Sequence, residues 1–407
     1  MARSPHLDVG ILFWSSSQYQ DQFLLCTRPV VFFFSQGLNK SGSNIARAFS
    51  SNLGTLSSSL LGSSVLSVCE ISYLRRSQLE NPTVKNTNMS QAMSSLPETF
   101  DDLPDKRRYW PAPAGSEDEG LGMLRILTPD VVASAAQTQI QTGDRVCLNW
   151  NMENLTPPGF GRKHFEHRIK WVAEGVAFDD EYHFNPQQGS QWDGFRHHAN
   201  KDGVFHGGTT AEEIKDTQSP RIGIGYWAKK GIAGRGVLID YVSYAKKKNI
   251  PLNALSRQMI SLDEVEEIAR ECKITFQKGD IFFLRVGLPE TWAGMSAEKR
   301  QAYSEQSMPE HAGIEQSERV LRFMWDNHFA AVASDAVSFE VYPALDPEYD
   351  LHHHLLAGWG VPIGEMFDLD ELAAACERLG RWTFFISSSP LNCARGVSST
   401  PNCMAIF

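Results

Sequence analysis

The stretch from 185 to 199 reads NPQQGSQWDGFRHHA and is dense in side chains that bind metals or move protons. Asp193 offers a carboxylate, and the adjacent His197 and His198 offer imidazoles. Carboxylate and imidazole groups are the usual protein ligands of catalytic metal ions, and a histidine titrates in the range that general acid–base catalysis needs. The segment therefore predicts one half of a metal-dependent hydrolytic site.

Two later segments could supply the other half. SDAVSFE, at 334–340, places carboxylates after an apolar run, and LHHHLLAGWGVPIGE, at 351–365, places three histidines before a glutamate. A hydrolytic metal ion takes three or four protein ligands and keeps one position for water. Asp193 and His197, with one histidine of the triplet and Glu365, would form such a set if the fold brings the segments together.

Regular elements must position these segments, and the sequence predicts an α/β fold with a mixed, largely buried sheet. Ser261 begins an S-L-D-E capping box that predicts a helix start, and Asp368 is placed to cap a helix that ends at a glycine. A longer amphipathic helix is predicted over 311–329. The predicted strands are 145–150, 236–242, 280–287, 330–337 and 382–388.

The chain divides into three parts by composition. Residues 1–88 are serine-rich and carry seven basic and four acidic residues, which is typical either of an organelle transit peptide or of an extension outside the fold, with Met89 or Met93 as the true start. We favour the extension, and therefore a cytoplasmic protein. Residues 89–120, rich in Pro, Asp and Gly, predict an extended linker or arm, and 121–407 the folded domain.

Composition excludes several classes of partner. A formal net charge of −10 argues against nucleic-acid binding through a broad basic surface. No apolar run reaches the ~20 residues that a membrane-spanning helix needs. Seven cysteines without a CxxC pair indicate a reducing compartment rather than a disulfide framework. A small-molecule substrate is the expected partner.

The motifs, taken in order, resemble the metal-dependent cyclase family, which includes bacterial kynurenine formamidase and isatin hydrolase. The resemblance covers roughly residues 103–407, and its first motif reads like the NTQxSSQWDGLRH form common in fungi. It implies a single cyclase-like, swivelling β/β/α domain, a divalent metal ion such as manganese or zinc, and a homodimer. The matching segments are GSQWDGFRHHA, GRGVLIDY, GDIFFLRVG, SDAVSFE and HHHLLAGWGVPIGE.

The family resemblance also implies roles for single residues. Its first motif is HxGTHxDxPxH, in which two histidines and the aspartate bind metal and the last histidine is catalytic. Laid on this sequence, the motif makes Asp193 a metal ligand and His197 the catalytic acid–base. The two metal-binding histidines fall at Gln187 and Gln191, whose amide oxygens are poor zinc donors but are acceptable to manganese or magnesium.

A later histidine and glutamate complete the family's metal site. Glu365 matches the glutamate, and His353 stands twelve residues before it, with His352 and His354 as alternatives. Further residues are expected to support the site or to line the substrate pocket, although packing is the alternative role for the tryptophan. These residues are Trp192, Asp335, Ser338 and Glu340.

Three functions follow from these residues. The leading hypothesis is hydrolysis of an amide, formamide or lactone carbonyl in a small metabolite, with His197 taking a proton from the attacking water and returning it to the leaving group. The second is a cyclase or dehydratase of a secondary-metabolite pathway. The third is a ligand-binding protein without catalysis, because glutamines stand where the family has two imidazole ligands.

Overall fold

The structure of the protein is a computed structural model that describes residues 96–407. The predicted N-terminal extension, 1–88, and the first residues of the predicted arm lie outside the described part. All described residues belong to one compact unit. Within 96–407, none of the helices is at once long enough and apolar enough to cross a membrane.

A nine-stranded mixed sheet runs through the centre of this unit. The strands found in residues 96–407 are β1 (Arg145–Cys147), β2 (Glu166–Ala173), β3 (Ala177–His183), β4 (Gln191–Asp193), β5 (Ile232–Asp240), β6 (Met259–Ile260), β7 (Ile281–Arg285), β8 (Gly313–Ile314), β9 (Ala331–Ser334), β10 (Ile363–Glu365), β11 (Thr383–Ser388), β12 (Ser398–Ser399) and β13 (Cys403–Ile406). The order in the large sheet is β1-β13-β11-β5-β7-β9-β10-β4-β12.

The middle of the sheet is parallel. Strands β5, β7, β9 and β10 pair in parallel, while β4, β11, β12 and β13 pair antiparallel with their neighbours. Parallel strands covered on both faces are almost continuously apolar, and the β7 and β9 side chains are buried accordingly. The predicted mixed, buried sheet is confirmed, and five of its strands arise from the predicted apolar runs.

Helices cover the sheet. They are α1 (Glu117–Leu121), α2 (Pro129–Gln139), α3 (Ala211–Lys215), α4 (Gly225–Lys230), α5 (Tyr241–Lys248), α6 (Leu262–Glu271), α7 (Leu288–Ala293), α8 (Ala297–Ser304), α9 (Glu318–Asp326) and α10 (Asp370–Leu379). Short 3₁₀ turns occupy Phe100–Asp102, Gly122–Ile126, His206–Gly208 and Pro347–Tyr349, and a π-helix spans His353–Trp359.

Helix boundaries follow the capping signals in part. Helix α6 begins at the predicted capping box, in which the Ser261 and Glu264 side chains each bond the other's backbone N–H. The helix predicted over 311–329 is shorter, because 313–314 form β8 and Ser317 caps α9. Helix α10 starts two residues after Asp368, with Leu369 at its N-cap, and ends at Gly380, which has φ 63°.

The predicted arm packs onto the folded core within its described part. Leu96, Phe100 and Leu103 are buried. The Trp325 indole donates to the Pro97 carbonyl at 3.1 Å, and the Trp110 indole donates to the Ala357 carbonyl at 2.8 Å. The second of these bonds ties the arm to the π-helix.

Strands β2 and β3 form an antiparallel ribbon, residues 166–183, outside the large sheet. None of the residues in either strand is buried. The residues that flank the ribbon meet at its base, where the Asn185 N–H donates to the Lys163 carbonyl at 3.3 Å. The ribbon therefore projects from the segment that leads directly into the 185–199 stretch.

Candidate active site

Strand pairing brings the two halves of the predicted site together. Strand β10 pairs antiparallel with β4, which sets Glu365 opposite Gln191 and Ile363 opposite Asp193. Alternate residues of a strand share one face, so Gln191 and Asp193 lie on the same side of β4. The Gln191 amide nitrogen donates to Glu365 Oε2 at 2.6 Å and to Asp193 Oδ1 at 3.2 Å.

Trp192 lies on the opposite face of β4 and does not line the site. Its side chain is fully buried, its indole N–H donates to Ser388 Oγ at 3.0 Å, and its ring packs edge-on against Phe367 at 5.1 Å. The expected contact with substrate is therefore replaced by the alternative role, packing in the core.

His352 is the histidine of the triplet that reaches the carboxylates. Its Nε2 lies 3.2 Å from Glu365 Oε1, and its Nδ1 lies 2.7 Å from Glu340 Oε1. Ligating atoms of Asp193, His197 and His352 all lie within 4.8 Å of one another. The sequence interpretation preferred His353, and the geometry selects its neighbour.

His353 and His354 turn away from this cluster. The His353 ring lies 5.0 Å from that of His198, and its Nδ1 is 3.8 Å from Asp350 Oδ1. His354 Nε2 lies 3.0 Å from the Glu348 carbonyl. Successive residues of a helical turn project in directions about 100° apart, so only one of three consecutive histidines can face the carboxylates.

Gln187 joins the catalytic candidate to the carboxylates. Its amide nitrogen donates to Asp193 Oδ1 at 2.9 Å and lies 3.0 Å from His197 Nδ1. The other ring nitrogen, His197 Nε2, is 3.7 Å from Asp193 Oδ2. Gln187 and Gln191 thus both present nitrogen to a carboxylate here, and a half-turn of each terminal amide would present oxygen instead.

Burial disfavours the charged form of both carboxylates in the cluster. Burial raises the pKa of Asp193, and burial together with the neighbouring Asp193 charge raises the pKa of Glu365. Burial opposes charge on His352 as well, yet its bonds to Glu340 and Glu365 raise its pKa well above the ordinary value. The cluster thus favours positive charge at its centre.

The donor set fits a divalent cation. Asp193 Oδ2 and Gln191 Oε1 are buried and have no hydrogen-bond partner within the described residues. Buried polar atoms are normally paired, so these two unpaired oxygens, on side chains that share one face of β4, indicate a missing partner. Asp193, Glu365 and His352 would hold such an ion, and the amide oxygens would add hard, neutral donors.

His197 and His198 border the cluster as neutral imidazoles. Burial, reinforced by the His352 charge, lowers the pKa of His197 to about 4 and that of His198 to about 3. Both rings are therefore uncharged near pH 7 and carry a free lone pair. The two rings lie 6.2 Å and 5.3 Å from the His352 ring, respectively.

Glu340 orients His352. Its carboxylate accepts the backbone N–H groups of Leu351 at 2.6 Å and His352 at 2.9 Å, in addition to the Gln316 amide. Its bond to His352 Nδ1 holds a proton there and directs Nε2 towards Glu365. Glu340, Asp350 and His352 form a second group of possible ligands, but both Glu340 oxygens are already bonded.

Asp335 and Ser338 support the loops around the site. The Asp335 carboxylate accepts the backbone N–H groups of Val286 and Gly287, which fixes the turn after β7. Ser338 Oγ donates to the Glu340 carbonyl at 2.8 Å and lies 2.7 Å from His311 Nε2. Neither side chain reaches the ligand cluster.

The structure adds residues that no sequence motif indicates. Arg162 donates to the Gln187 carbonyl, and its charge lowers the pKa of both Asp193 and Glu365 against the effect of burial. Gln316, as noted, holds Glu340. A single arginine in a glycine-rich loop and a glutamine before a helix carry no local signal of function, so only the fold reveals them.

A groove opens beside the cluster. Its volume is about 630 Å³. His353 and His354 line one wall, and charged side chains at the rim include Lys106, Arg108 and Lys201. Since the His353 ring packs against His198, the groove begins one ring away from the neutral histidines.

Comparisons with known proteins find similarity to the cyclase family. Residues 153–341 match the family model described as "Putative cyclase". A solved structure of a novel cyclase is 26% identical to this chain, with a TM-score of 0.63, and the match covers 72% of this chain and 97% of that one.

Two isatin hydrolases are also among the similar solved structures. Isatin hydrolase A from Ralstonia solanacearum is 14% identical with a TM-score of 0.45, covering 69% of this chain and 97% of that one. Isatin hydrolase A from Labrenzia aggregata, bound to benzyl benzoate, is 14% identical with a TM-score of 0.47, covering 68% and 97%. No curated protein matches the chain significantly.

Proposed function

We propose that this chain is a metal-dependent hydrolase of the cyclase family that cleaves an amide, formamide or lactone carbonyl of a small metabolite, because residues 153–341 match the family model and a cyclase structure 26% identical to this chain is similar in fold. The observation that carries the proposal is the buried cluster of Asp193, His352 and Glu365 with neutral His197 at its edge. A buried carboxylate with an unpaired oxygen, Asp193, beside a neutral imidazole suits the hydrolysis of a polarised carbonyl.

We assign the metal to Asp193, Glu365 and His352, with the Gln191 and Gln187 amide oxygens as weaker donors. A bound divalent cation would supply Lewis acidity and would lower the pKa of a bound water towards about 7. The oxygen-rich donor set favours manganese, with zinc as the alternative.

His197 is the proposed general acid–base. Its Nε2 faces the cluster, while its Nδ1 contacts Gln187. A Gln187 amide turned to present its oxygen would hold the proton on Nδ1 and leave Nε2 free to accept the proton of the attacking water. Asp193 would stabilise the imidazolium until the proton passes to the leaving nitrogen or oxygen.

Metal analysis of the purified full-length chain tests the assignment of the ligands. After removal of metal with a chelator and reloading with manganese, the wild type is expected to retain about one ion per chain. Asp193→Asn is expected to lose it, whereas Asp202→Asn, in an exposed turn, retains it. An Asp193→Asn protein that holds manganese as tightly as the wild type would contradict the proposed site.

A substrate panel tests the reaction. Metal-loaded protein is assayed against formamides, lactones and cyclic imides, and His197→Ala is expected to reduce kcat by about 10²- to 10⁴-fold. His183→Ala, on the exposed ribbon, is the matched control and should leave the rate unchanged. Equal rates for His197→Ala and wild type would refute hydrolysis through His197.

Two further functions remain candidates because Gln187 and Gln191 stand where the family motif has histidines. A cyclase or dehydratase would convert an open substrate without incorporating oxygen from ¹⁸O-labelled water, whereas a hydrolase incorporates it. A ligand-binding protein without catalysis would show saturable binding and no product with any metal. Product analysis in labelled water therefore separates all three.

We also propose that the enzyme works as a homodimer in the cytoplasm. Support for the compartment comes from the odd number of cysteines without a CxxC pair. Support for self-association comes from the exposed apolar side chains of the β2–β3 ribbon, such as Trp171 and Phe178.

A further inference from the structure

An apolar cavity with a volume of about 330 Å³ lies against the 185–199 stretch. Three parts of the chain form its walls: the loop after β1 at 149–152, the segment 182–190, and C-terminal residues between 391 and 402. No member of the ligand cluster is among the described residues that line it. The cavity is therefore distinct from the candidate active site.

Two adjacent glutamines belong to the two different sites. The Gln187 amide contacts Asp193 and His197 in the candidate active site. Gln188 lines the cavity instead, and its amide nitrogen donates to the Met152 carbonyl at 3.1 Å. The short segment that carries both glutamines thus lies between the cavity and the ligand cluster.

The walls of the cavity are aromatic and uncharged. Trp150, Tyr182 and Phe184 contribute rings, and Met152 contributes a thioether, which contacts aromatic rings favourably. None of the described residues that line the cavity carries a charge. A charged ligand would lose its hydration there without gaining a counter-charge, so the lining favours a neutral aromatic ligand.

Gln188 supplies an unused hydrogen-bond acceptor in this wall. The residue is only 2% exposed, and its Oε1 has no hydrogen-bond partner within 96–407. Turning the amide over would set its oxygen against the Met152 carbonyl, so the bond to Met152 fixes which atom is left free. Buried polar atoms are normally paired, and a ligand with an N–H or O–H group would provide the partner.

Other polar side chains in the walls already have partners. Ser190 Oγ donates to a backbone carbonyl at 2.6 Å, Asn402 Nδ2 donates to another at 3.0 Å, and Asn149 Oδ1 accepts a backbone N–H at 3.0 Å. These three groups hold the walls together. Recognition of a polar group on the ligand therefore falls to Gln188.

The volume of the cavity sets the size of the ligand. An engineered apolar cavity of about 150 Å³ binds benzene, and small-molecule pockets begin at about 300 Å³. A cavity of about 330 Å³ thus has room for a molecule of roughly two fused rings.

We propose that this cavity binds a neutral bicyclic aromatic molecule that donates one N–H or O–H group to Gln188 Oε1. The ring contacts with the walls supply affinity, and the single hydrogen bond fixes the orientation of the ligand. The site is additional to the metal-ligand cluster, and the proposal does not depend on the reaction catalysed there.

Equilibrium dialysis of the full-length chain with 2-naphthol tests the proposal. This probe is neutral at pH 7, has two fused rings and carries one hydroxyl donor. The wild type is expected to bind about one molecule per chain saturably. The matched probe 2-methoxynaphthalene keeps the rings but lacks the donor, and it should bind about tenfold more weakly because it leaves Gln188 Oε1 unpaired.

Gln188→Met tests the acceptor. Methionine keeps the length of the side chain and removes its amide, so 2-naphthol should bind about tenfold more weakly while 2-methoxynaphthalene binds within about threefold of wild type. Gln218→Met, on an exposed loop, is the matched control and should bind both probes like the wild type. Equal wild-type affinities for the two probes would overturn the proposed hydrogen bond.

Gly189→Leu tests the location of the site. Gly189 lines the cavity, its φ is not positive, and a Cβ added there meets nothing within 4 Å, so leucine can fill the space without a clash. This variant should lose binding of both probes. Gly159→Leu, also in open space, is the control, and circular dichroism checks that both variants fold. A wild type that does not bind 2-naphthol saturably, or a folded Gly189→Leu protein that binds it normally, would overturn the proposal.

Discussion

At the scale of single residues, the two glutamines set this site apart from the histidine motif of the cyclase family that the chain resembles. Gln187 and Gln191 touch Asp193 through their amides, and Gln191 also touches Glu365. An amide oxygen binds a metal without charge and more weakly than imidazole binds zinc. The preference of the site for one metal over another should therefore depend on Gln187 and Gln191.

Gln191→His is expected to shift the preference of the site towards zinc. An added imidazole should tighten zinc binding at least about tenfold and leave manganese binding equal or weaker. Competition against a chromophoric chelator measures both dissociation constants. Gln218→His, on an exposed loop, is the control. Unchanged zinc affinity in Gln191→His would place residue 191 outside the metal site.

Substitutions of the neighbouring His352 and His353 compare the two candidate ligands directly. His352→Gln should weaken metal binding about 100-fold, because it removes a ligand and the side-chain hydrogen bond that this ligand makes to Glu340. His353→Gln should bind metal within about threefold of wild type, because its ring faces His198. Isothermal titration with manganese gives both values. If His353→Gln bound metal more weakly than His352→Gln, the result would instead support His353 as the ligand, as the sequence spacing predicted.

At the scale of elements, the site depends on how closely β4, β9 and β10 approach one another. A Cβ added at Gly364 would lie 2.7 Å from Ala333 Cβ on β9 and 2.9 Å from the Trp192 ring on β4. Both neighbours are buried and cannot yield easily. Glycine at 364 therefore permits the strand spacing that places Glu365.

Gly364→Ala is expected to lower the free energy of unfolding by about 1–3 kcal/mol, the usual cost of overpacking a core. Metal affinity should fall with it, because Glu365 follows on the same strand. Urea denaturation measures the first effect. Gly159→Ala, where an added Cβ meets nothing within 4 Å, is the control. A stable Gly364→Ala protein would show that β10 can shift freely.

Much of this architecture could be predicted from sequence, for a physical reason. Parallel strands buried on both faces, such as β7 and β9, leave continuous apolar runs. The predicted strands all rest on continuous apolar runs, and the ribbon was missed because its apolar side chains alternate with charges and form no such run. The helix predicted from 311 was too long because β8 pairs with distant β6, a contact that local periodicity cannot show.

The site residues also divide into those that a local sequence motif indicates and those that only the tertiary structure reveals. Asp193, His197 and Glu365 carry a motif, and the fold brings Asp193 and Glu365 onto paired strands. His352 could not be distinguished from His353 by spacing, since the intervening turns are not α-helical. Arg162 and Gln316 act through the Gln187 carbonyl and Glu340, contacts that only the tertiary structure creates.

At the scale of the whole molecule, buried neutral histidines make the fold sensitive to acid. Burial lowers the pKa of His206 and of His311 to about 3 each. A histidine whose folded-state pKa lies below its unfolded value stabilises the fold above about pH 6.5, and that contribution is lost as pH falls towards the folded pKa. His206 lies against Phe195 and Gly360, away from the ligand cluster.

His206 alone should reduce the free energy of unfolding by about 2 kcal/mol between pH 7 and pH 5. His206→Gln is expected to flatten the pH dependence by that amount, whatever its stability at pH 7. Urea denaturation at several pH values gives the slope, with His183→Gln on the ribbon as the control. An unchanged slope in His206→Gln would assign the acid sensitivity to other groups.

The π-helix at His353–Trp359 affects how related sequences should be aligned. A π-turn holds one residue more than an α-turn, so it accommodates a single-residue insertion without displacing the elements on either side. His352 and Glu365 stand thirteen positions apart in this sequence, one more than the spacing that pointed to His353. A related chain with an ordinary α-helical turn here would have its histidine twelve positions before the glutamate, and sequence alignment would match that histidine to His353, whereas superposition on Glu340 and Glu365 would match it to His352.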